Sequence, residues 1–182
     1  MDDWQAILER DGPAVWRSAF RIVGNRADAD ECFQEAFLGA LAVSRREPVE
    51  NWRALLQRLA AARAVDRLRE RSRRRGREDS ADLDAVAGHD PPPSRTAEDA
   101  ELSDQLRQAL AGLPAKQAEV FCLHCLESWS YQEIARHLAL TVDAVGVLLF
   151  RARRRLRERL ARPLGVAQPA IPERQEPGKK VR

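Results

Sequence analysis

Long apolar runs are absent from this sequence. No stretch approaches the roughly 20 apolar residues that a helix needs to cross a bilayer. The opening, MDDWQAILERD, lacks the basic start and apolar run of a signal peptide. A cytoplasmic chain without membrane insertion is therefore expected. Cysteine is scarce: 3 in 182 residues make no disulfide framework, which suits the same compartment. Aromatic residues are only 5%, so the core must be lean and mostly aliphatic. Glycine is sparse, and no glycine-rich loop of the phosphate-cradling kind occurs. No nucleophile–base constellation and no shielded pair of carboxylates stands out either. The expectation is a protein that is not an enzyme, with no cofactor and no metal site.

What the chain has in quantity is Leu, Ala and Arg, a composition that favours helices. Arginine greatly outnumbers lysine, whose three copies are Lys116, Lys179 and Lys180. Guanidinium groups match phosphate bidentately, so this bias suits contact with nucleic acid. The net charge of +3 hides an uneven distribution. Arg63 to Arg77 holds eight arginines against Asp66 and Glu70, while Glu78 to Asp104 holds nine acids against Arg95 alone. Residues 105–182 turn basic again, with fourteen Arg or Lys against seven acids. Two basic blocks around an acidic one suggest two nucleic-acid-facing units and a linker. Charge by itself is also compatible with solvated helix faces.

Apolar spacing gives the elements. Trp4, Ile7, Leu8, Val15, Trp16, Ala19, Phe20 and Val23 form a first helical face, with a break or bend expected at Gly12-Pro13 and an end at Gly24-Asn25. Ala29, Cys32, Phe33, Ala36, Phe37, Ala40 and Leu41 form one continuous stripe, with Asp28 and Glu31 resembling a capping pair and Pro48 marking the end. A third helix is predicted from about Asn51 to about Arg74, on Trp52, Leu55, Leu56, Leu59, Val65 and Leu68. The fold class is thus all-α: a helical domain over 1–75, an acidic Pro-containing linker over 76–100, a second helical domain over 101–162 and a tail over 163–182. The linker is too polar and too rich in proline to bury a core of its own. The second unit is expected to begin near Ala100, with Lys116 to Glu127 helical.

The segment SYQEIARHLALTVDAVGVLLFRARRRLRERL reads as a helix-turn-helix. Ser130 with Glu133 has capping-box spacing. Ile134, Ala135 and Leu138 are placed to pack on a second helix, and Leu140-Thr141 supplies the turn and the next cap. Val145 and Leu149 then anchor the second helix, whose N-terminal end such units direct into the major groove. An ordinary helical hairpin has the same local pattern. Cys122-Leu123-His124-Cys125 has the spacing of a zinc or redox pair but lies in a predicted helix with no second ligand pair, so helix packing is the expected role. His89 and His137 stand alone and are expected to be structural or solvent-exposed.

Two runs together carry a resemblance. NRADADECFQEAFLGAL resembles the second region of RNA polymerase sigma factors, and LPAKQAEVFCLHCLESWSYQEIARHLALTVDAVGVLLFRARRRLRERL resembles their fourth. LLQRLAAARAVDRLRERSRRR looks like the helix that ends the promoter-melting domain. The order and separation match the compact extracytoplasmic-function group, over roughly residues 5–75 and 103–161. The resemblance implies a dissociable subunit that binds core RNA polymerase, through its beta-prime and beta subunits, and directs initiation at promoter DNA. It also admits an anti-sigma factor as partner. It assigns polymerase binding to Asp28, Asp30, Glu31, Gln34 and Glu35, and the minus-ten element to the third helix and the loop Ser44 to Asn51. The minus-thirty-five element falls to the fourth region. Read from the residues alone, the acidic cluster is equally a helix start favoured by its dipole.

Arg63, Arg67, Arg71 and Arg74 recur at helical spacing and could hold phosphates, contacts that position DNA without reading it. In the last helix the family's usual Lys-Ser-Arg is replaced by Gly146-Val147-Leu148, and Phe150 stands where His or Ser is common. Ala62 and Leu55 replace a usual Asn and Trp. Apolar side chains make no bidentate bonds to base edges and can at best touch a thymine methyl. Thr141, Asp143, Arg151, Arg153, Arg154 and Arg155 remain as polar candidates for DNA. A patch of Val147, Leu148 and Phe150 could instead meet another protein. Two alternatives thus stand beside the sigma-factor reading: a helix-turn-helix regulator acting alone on duplex DNA, and a diverged sigma-like interaction module.

Overall fold

A computed structural model of the chain describes residues 3–78 and 97–164, which form seven helices and no strand. Most of the expected linker and tail, residues 79–96 and 165–182, lies outside the described residues, as does His89.

Helix α1 spans Trp4–Val23. The Asp3 side chain caps it by accepting from the Ala6 amide at 3.1 Å. The expected break at Gly12-Pro13 does not occur, and Pro13 lies inside one continuous helix. Ile7, Asp11, Val15, Ser18 and Ile22 are buried at helical spacing on both sides of the proline. Packing of that unbroken stripe outweighs the one backbone bond that proline removes. The helix ends at Gly24, whose φ of 80° is the left-handed cap conformation that suits glycine.

Helix α2 spans Arg26–Ser44. Its cap is Asn25, not Asp28: the Asn25 side chain accepts from the Asp28 amide at 2.9 Å and donates to the Asp28 carboxylate at 2.8 Å. The capping pair is therefore Asn25 with Asp28, one turn before the expected Asp28 with Glu31. The helix stops four residues ahead of Pro48, where Arg45 serves as C-cap. Helix α3 spans Trp52–Glu78, with the Asn51 side chain accepting from the Ala54 amide at 3.0 Å. It outruns the expected end at Arg74, because arginine is a good helix former and Gly76 alone does not stop it. These three helices close a bundle over Val15, Ile22, Val23, Cys32 and Leu56, all at or below 1% exposure. Small residues of α2 and α3 (Ala29, Ala36, Ala40, Ala60, Ala61 and Ala64), all fully buried, let the backbones approach closely.

The second bundle comprises α4 (Ala97–Ala111), α5 (Ala115–Cys125), α6 (Tyr131–Leu138) and α7 (Val142–Leu164). Val120, Cys122, Leu123, Ile134, Val145 and Leu149 form its centre, each at or below 1% exposure. Fully burying a side chain of this size contributes about 1.5–3 kcal/mol. Helix α4 begins three residues before the expected Ala100, and α7 runs through Pro163. The two bundles are in contact. Helix α3 packs against α1 and α2 and also against α4 and α5.

Candidate nucleic-acid and partner-protein interface

The helix-turn-helix is α6 and α7. Ser130 caps α6 through a complete capping box: its hydroxyl accepts from the Glu133 amide at 3.2 Å, and its own amide donates to the Glu133 carboxylate at 2.7 Å. The Ser130 hydroxyl also donates to the Glu133 carboxylate at 2.7 Å, and this bond, followed by that from the Ser130 amide, holds the Glu133 carboxyl below its ordinary value. Ala139 (φ 51°) takes the left-handed conformation that ends α6, and Thr141 caps α7 by accepting from the Ala144 amide at 3.1 Å. Ile134, Ala135 and Leu138 of α6 are buried, as are Val145, Leu149, Ala152 and Leu156 of α7.

The opposite face of α7 is open. Asp143, Val147, Phe150, Arg151 and Arg154 follow one another at helical spacing and are all exposed, Phe150 at 64%. Leu148, grouped with Val147 in the sequence, is half-buried and packs on the core. The arginines differ in freedom. Arg154 reaches Glu158 at 3.5 Å, one turn on. Arg155 leans back to the buried Gln117 at 3.4 Å, and Arg153 points toward the Cys125 sulfur at 3.9 Å. Arg151 and Arg154 thus belong to the outward face, while Arg153 and Arg155 flank it.

On the first bundle, α2 and α3 bring the two expected charge sets together. Arg71 donates to Asp28 at 2.9 Å. Arg67 reaches Asp28 at 3.8 Å and pairs with Glu31, and Arg63 meets Glu35 at 3.4 Å. Arg67 and Arg71 are each 24% exposed and Asp28 is 18% exposed, so this cluster lies in the groove between helices. Asp30 is held by the Trp16 indole N–H at 2.7 Å. Gln34 is exposed on the polar side of α2. Arg74, at the far end, pairs with Glu70 at 2.6 Å and is mostly exposed. A shallow cleft of about 220 Å³ opens here, lined by Glu35, Arg63, Asp66, Arg67, Arg69, Glu70 and Arg73.

Sequence reasoning missed Glu127, Ser18 and Arg21, which join the bundles. Ser18 and Arg21 lie on the first helix and Glu127 more than 100 residues on, a separation that no local pattern signals. Cys122 is buried and burial pushes its thiol up to about 12, while Cys125 is exposed. Among the described residues no three metal-binding side chains gather. No helix there is long and apolar enough to cross a membrane. His137 is half-buried, its ring 5.0 Å from that of Trp129.

Residues 7–74 match the family model of sigma-70 region 2, and residues 103–156 match that of sigma-70 region 4. The chain is 31% identical over 165 residues to the ECF RNA polymerase sigma factor SigE of Mycolicibacterium smegmatis, and it spans 63% of that protein's length. It is 29% identical to the sigma factor CarQ of Myxococcus xanthus, with 87% of this chain and 90% of that one aligned. It is 25% identical to ECF sigma factor SigW of Bacillus subtilis, over 80% and 82% of the two chains. Among solved structures, the fold resembles the sigma factor RpoE of Bartonella quintana in complex with the anti-sigma factor NepR (TM-score 0.55, 23% identity, 88% of this chain and 98% of that one). It resembles equally CnrH in complex with the cytosolic domain of CnrY (TM-score 0.55, 23% identity, 87% of each chain). With both bundles matched in order by sigma-70 regions, the chain belongs to the sigma-70 family, in its extracytoplasmic-function group.

Proposed function

We propose that this chain is a sigma factor that binds core RNA polymerase and directs promoter recognition and the initiation of DNA-templated transcription. The observation that carries the reading is the pairing of two units in one chain: a helix-turn-helix with an open, arginine-bearing α7 face, and a three-helix bundle with a polar α2 face. A regulator acting alone on duplex DNA needs only the first of these. Asp30, Glu31, Gln34 and Glu35 would meet a basic surface of the polymerase beta-prime subunit. Asp28 would support them from behind through Arg71 and Arg67. The loop Ser44 to Asn51 and the start of α3 would engage the minus-ten element. Of Arg63, Arg67, Arg71 and Arg74, the first and last are the more exposed and the better placed for phosphates. Thr141, Asp143, Arg151 and Arg154 on α7, flanked by Arg153 and Arg155, would seat the second bundle on upstream duplex DNA.

The role is one of binding and positioning, and it calls for no catalysis by this chain. It would be exercised in the cytoplasm, where the polymerase works. An anti-sigma factor is a natural further partner, since the similar RpoE is held by the anti-sigma factor NepR and the similar CnrH by the cytosolic domain of CnrY. The exposed Val147 and Phe150 offer such a protein an apolar foothold beside arginines. Run-off transcription with purified core polymerase on genomic promoter fragments tests the reading. Discrete transcripts that depend on the chain support it; core polymerase that ignores the chain on every fragment overturns it.

A further inference from the structure

We propose that the cleft between the start of α3 and α6 binds a small phosphate compound, through a diphosphate group held by Arg53 of the first bundle and Arg136 of the second. The site lies beyond the sigma-factor reading and does not depend on it.

The cleft measures about 210 Å³. Asn51 and Arg53 at the start of α3 line it on one side, and Arg136 and His137 of α6 line it on the other. Both arginines are exposed, and among the described residues neither has an ion pair or a side-chain hydrogen bond. Two unpaired guanidinium groups around one small space repel each other. An anion between them turns that repulsion into attraction and takes donors from both walls. The backbone adds to the same field. The first turn of α3 holds no acidic residue, so the positive end of a 27-residue helix is uncompensated there. Arg58 supplies a third charge: it lies close enough to His137 to lower its pKa, and its Nε is buried with no hydrogen-bond partner.

The acids close by are engaged elsewhere. Glu133 lines the cleft, but one of its carboxylate oxygens accepts from both the amide and the hydroxyl of Ser130 at 2.7 Å. Glu127 is only 2% exposed and is taken by Ser18, Arg21 and the Gln57 amide, at 2.6, 2.8 and 3.1 Å. The cleft therefore keeps a positive excess in a structure that otherwise pairs many of its charges.

Size and walls select the ligand. The space is below the roughly 300–1,000 Å³ of sites that enclose a drug-sized molecule, and it suits a head group of one or two phosphates. Guanidinium groups on two walls call for two anionic centres, which a diphosphate carries in one compact unit. A nucleic-acid strand is held differently, by aromatic faces on which its bases stack. The aromatic side chain beside His137 here is Trp129, which is 7% exposed with its ring 5.0 Å from that of His137. It offers no open face. The base of a nucleotide would stay outside, and only its phosphates would enter.

The test uses the full-length chain in four forms: unchanged, Arg53→Gln, Arg136→Gln and Arg17→Gln. Arg17 is exposed on α1 and does not line the cleft, so its loss controls for net charge. Calorimetry at constant ionic strength reads binding of inorganic diphosphate, because salt screens exposed charges. The expected result is one site on the unchanged chain and on Arg17→Gln, with binding about tenfold weaker in each of the other two, the loss of a charge-assisted hydrogen bond. Magnetic resonance of the His137 ring gives a second reading. Burial, Arg58 and Arg136 hold its pKa down against Glu133, and a bound anion favours the charged imidazole, so saturation with diphosphate should raise that pKa. Equal affinity in all four forms overturns the site, as does binding that leaves the His137 titration unmoved. An oligothymidylate lacking terminal phosphates makes the last arm. If it binds as tightly as diphosphate and weakens equally in both cleft variants, the cleft serves a DNA backbone and the small-ligand site falls. Should either cleft variant lose helicity by circular dichroism, the other decides together with the His137 shift. No arm contains polymerase, so the outcome leaves the sigma-factor reading to its own experiment.

Discussion

Arg71 donates to Asp28 at 2.9 Å, and this pair joins two charge sets that the sequence assigns to different partners. Asp28 falls in the acidic run expected to meet polymerase, and Arg71 in the arginine run expected to meet phosphate. In the folded chain they neutralise each other in the groove between α2 and α3, with Arg67 reaching the same carboxylate. Asp28 is also tied to Asn25, the cap of α2. Its main work is therefore to hold the two helices together.

A direct contrast follows between Asp28 and Gln34. Asp28→Lys leaves Arg67 and Arg71 facing a like charge in a half-buried groove and takes the partner from Asn25. A loss of about 1.5–3 kcal/mol is expected, the range for hydrogen bonds to charged groups. Thermal melting of the free chain should show it as a drop of several degrees. Gln34→Lys, on the exposed side of α2, should leave the melt unchanged and weaken co-purification with core polymerase. Equal melts for the two variants would mean that the Asp28 cluster is only surface charge.

The sequence carried the local architecture well. Capping at Ser130, Glu133 and Thr141, the buried positions of α6 and α7, and the stripe of α2 all follow from residues within one or two turns of each other. Packing won over local grammar at Pro13, where burial on both sides of the proline kept α1 whole. At Asn25 the signal was local but misplaced: an extended asparagine one turn earlier took the capping role. The exposed α7 face was legible from spacing, but the half-burial of Leu148 was not, because it depends on neighbours distant in sequence. The seam through Glu127 was invisible for the same reason. A lone glutamate after a helix resembles any solvated acid until Ser18, Arg21 and Gln57 are brought to it.

His137 makes the chain's stability depend on pH in a definite direction. Burial is the first cause holding its imidazole below the ordinary value; the charges of Arg58 and Arg136 add to it, and Glu133 opposes them. The folded chain therefore resists protonation that the unfolded chain accepts. Stability is fully present above the ordinary imidazole value, about 6.5, and is lost as pH falls through that value toward the lower folded one. Melting temperature should decline between about pH 7.5 and about pH 5.5, and His137→Gln should flatten that part of the slope. Glu133, also held low, titrates below this window and does not confuse it. An identical slope in the variant would remove His137 as the source.

The last prediction divides labour on the outward face of α7. Arg151 and Arg154 stand outward and Arg155 leans to Gln117, so phosphate contact should come chiefly from the first two. Each phosphate neutralised on duplex DNA releases counterions and adds about 0.9 to the salt slope of binding. Replacing Arg151 and Arg154 with Ala should weaken binding almost equally across sequences and flatten the slope by nearly two such steps. The same change at Arg155 should do less. Val147 and Phe150 are the fair probes of base reading, because both are exposed, whereas Leu148→Ala would also disturb packing. A base-reading contact is worth roughly 1–3 kcal/mol of discrimination, but an apolar side chain has only a thymine methyl to touch. Val147→Ala and Phe150→Ala should therefore leave the ranking of upstream elements in a competition assay nearly unchanged, with specificity residing in the first bundle. A loss of discrimination of that size, confined to positions bearing thymine, would show instead that this helix reads bases through apolar contact.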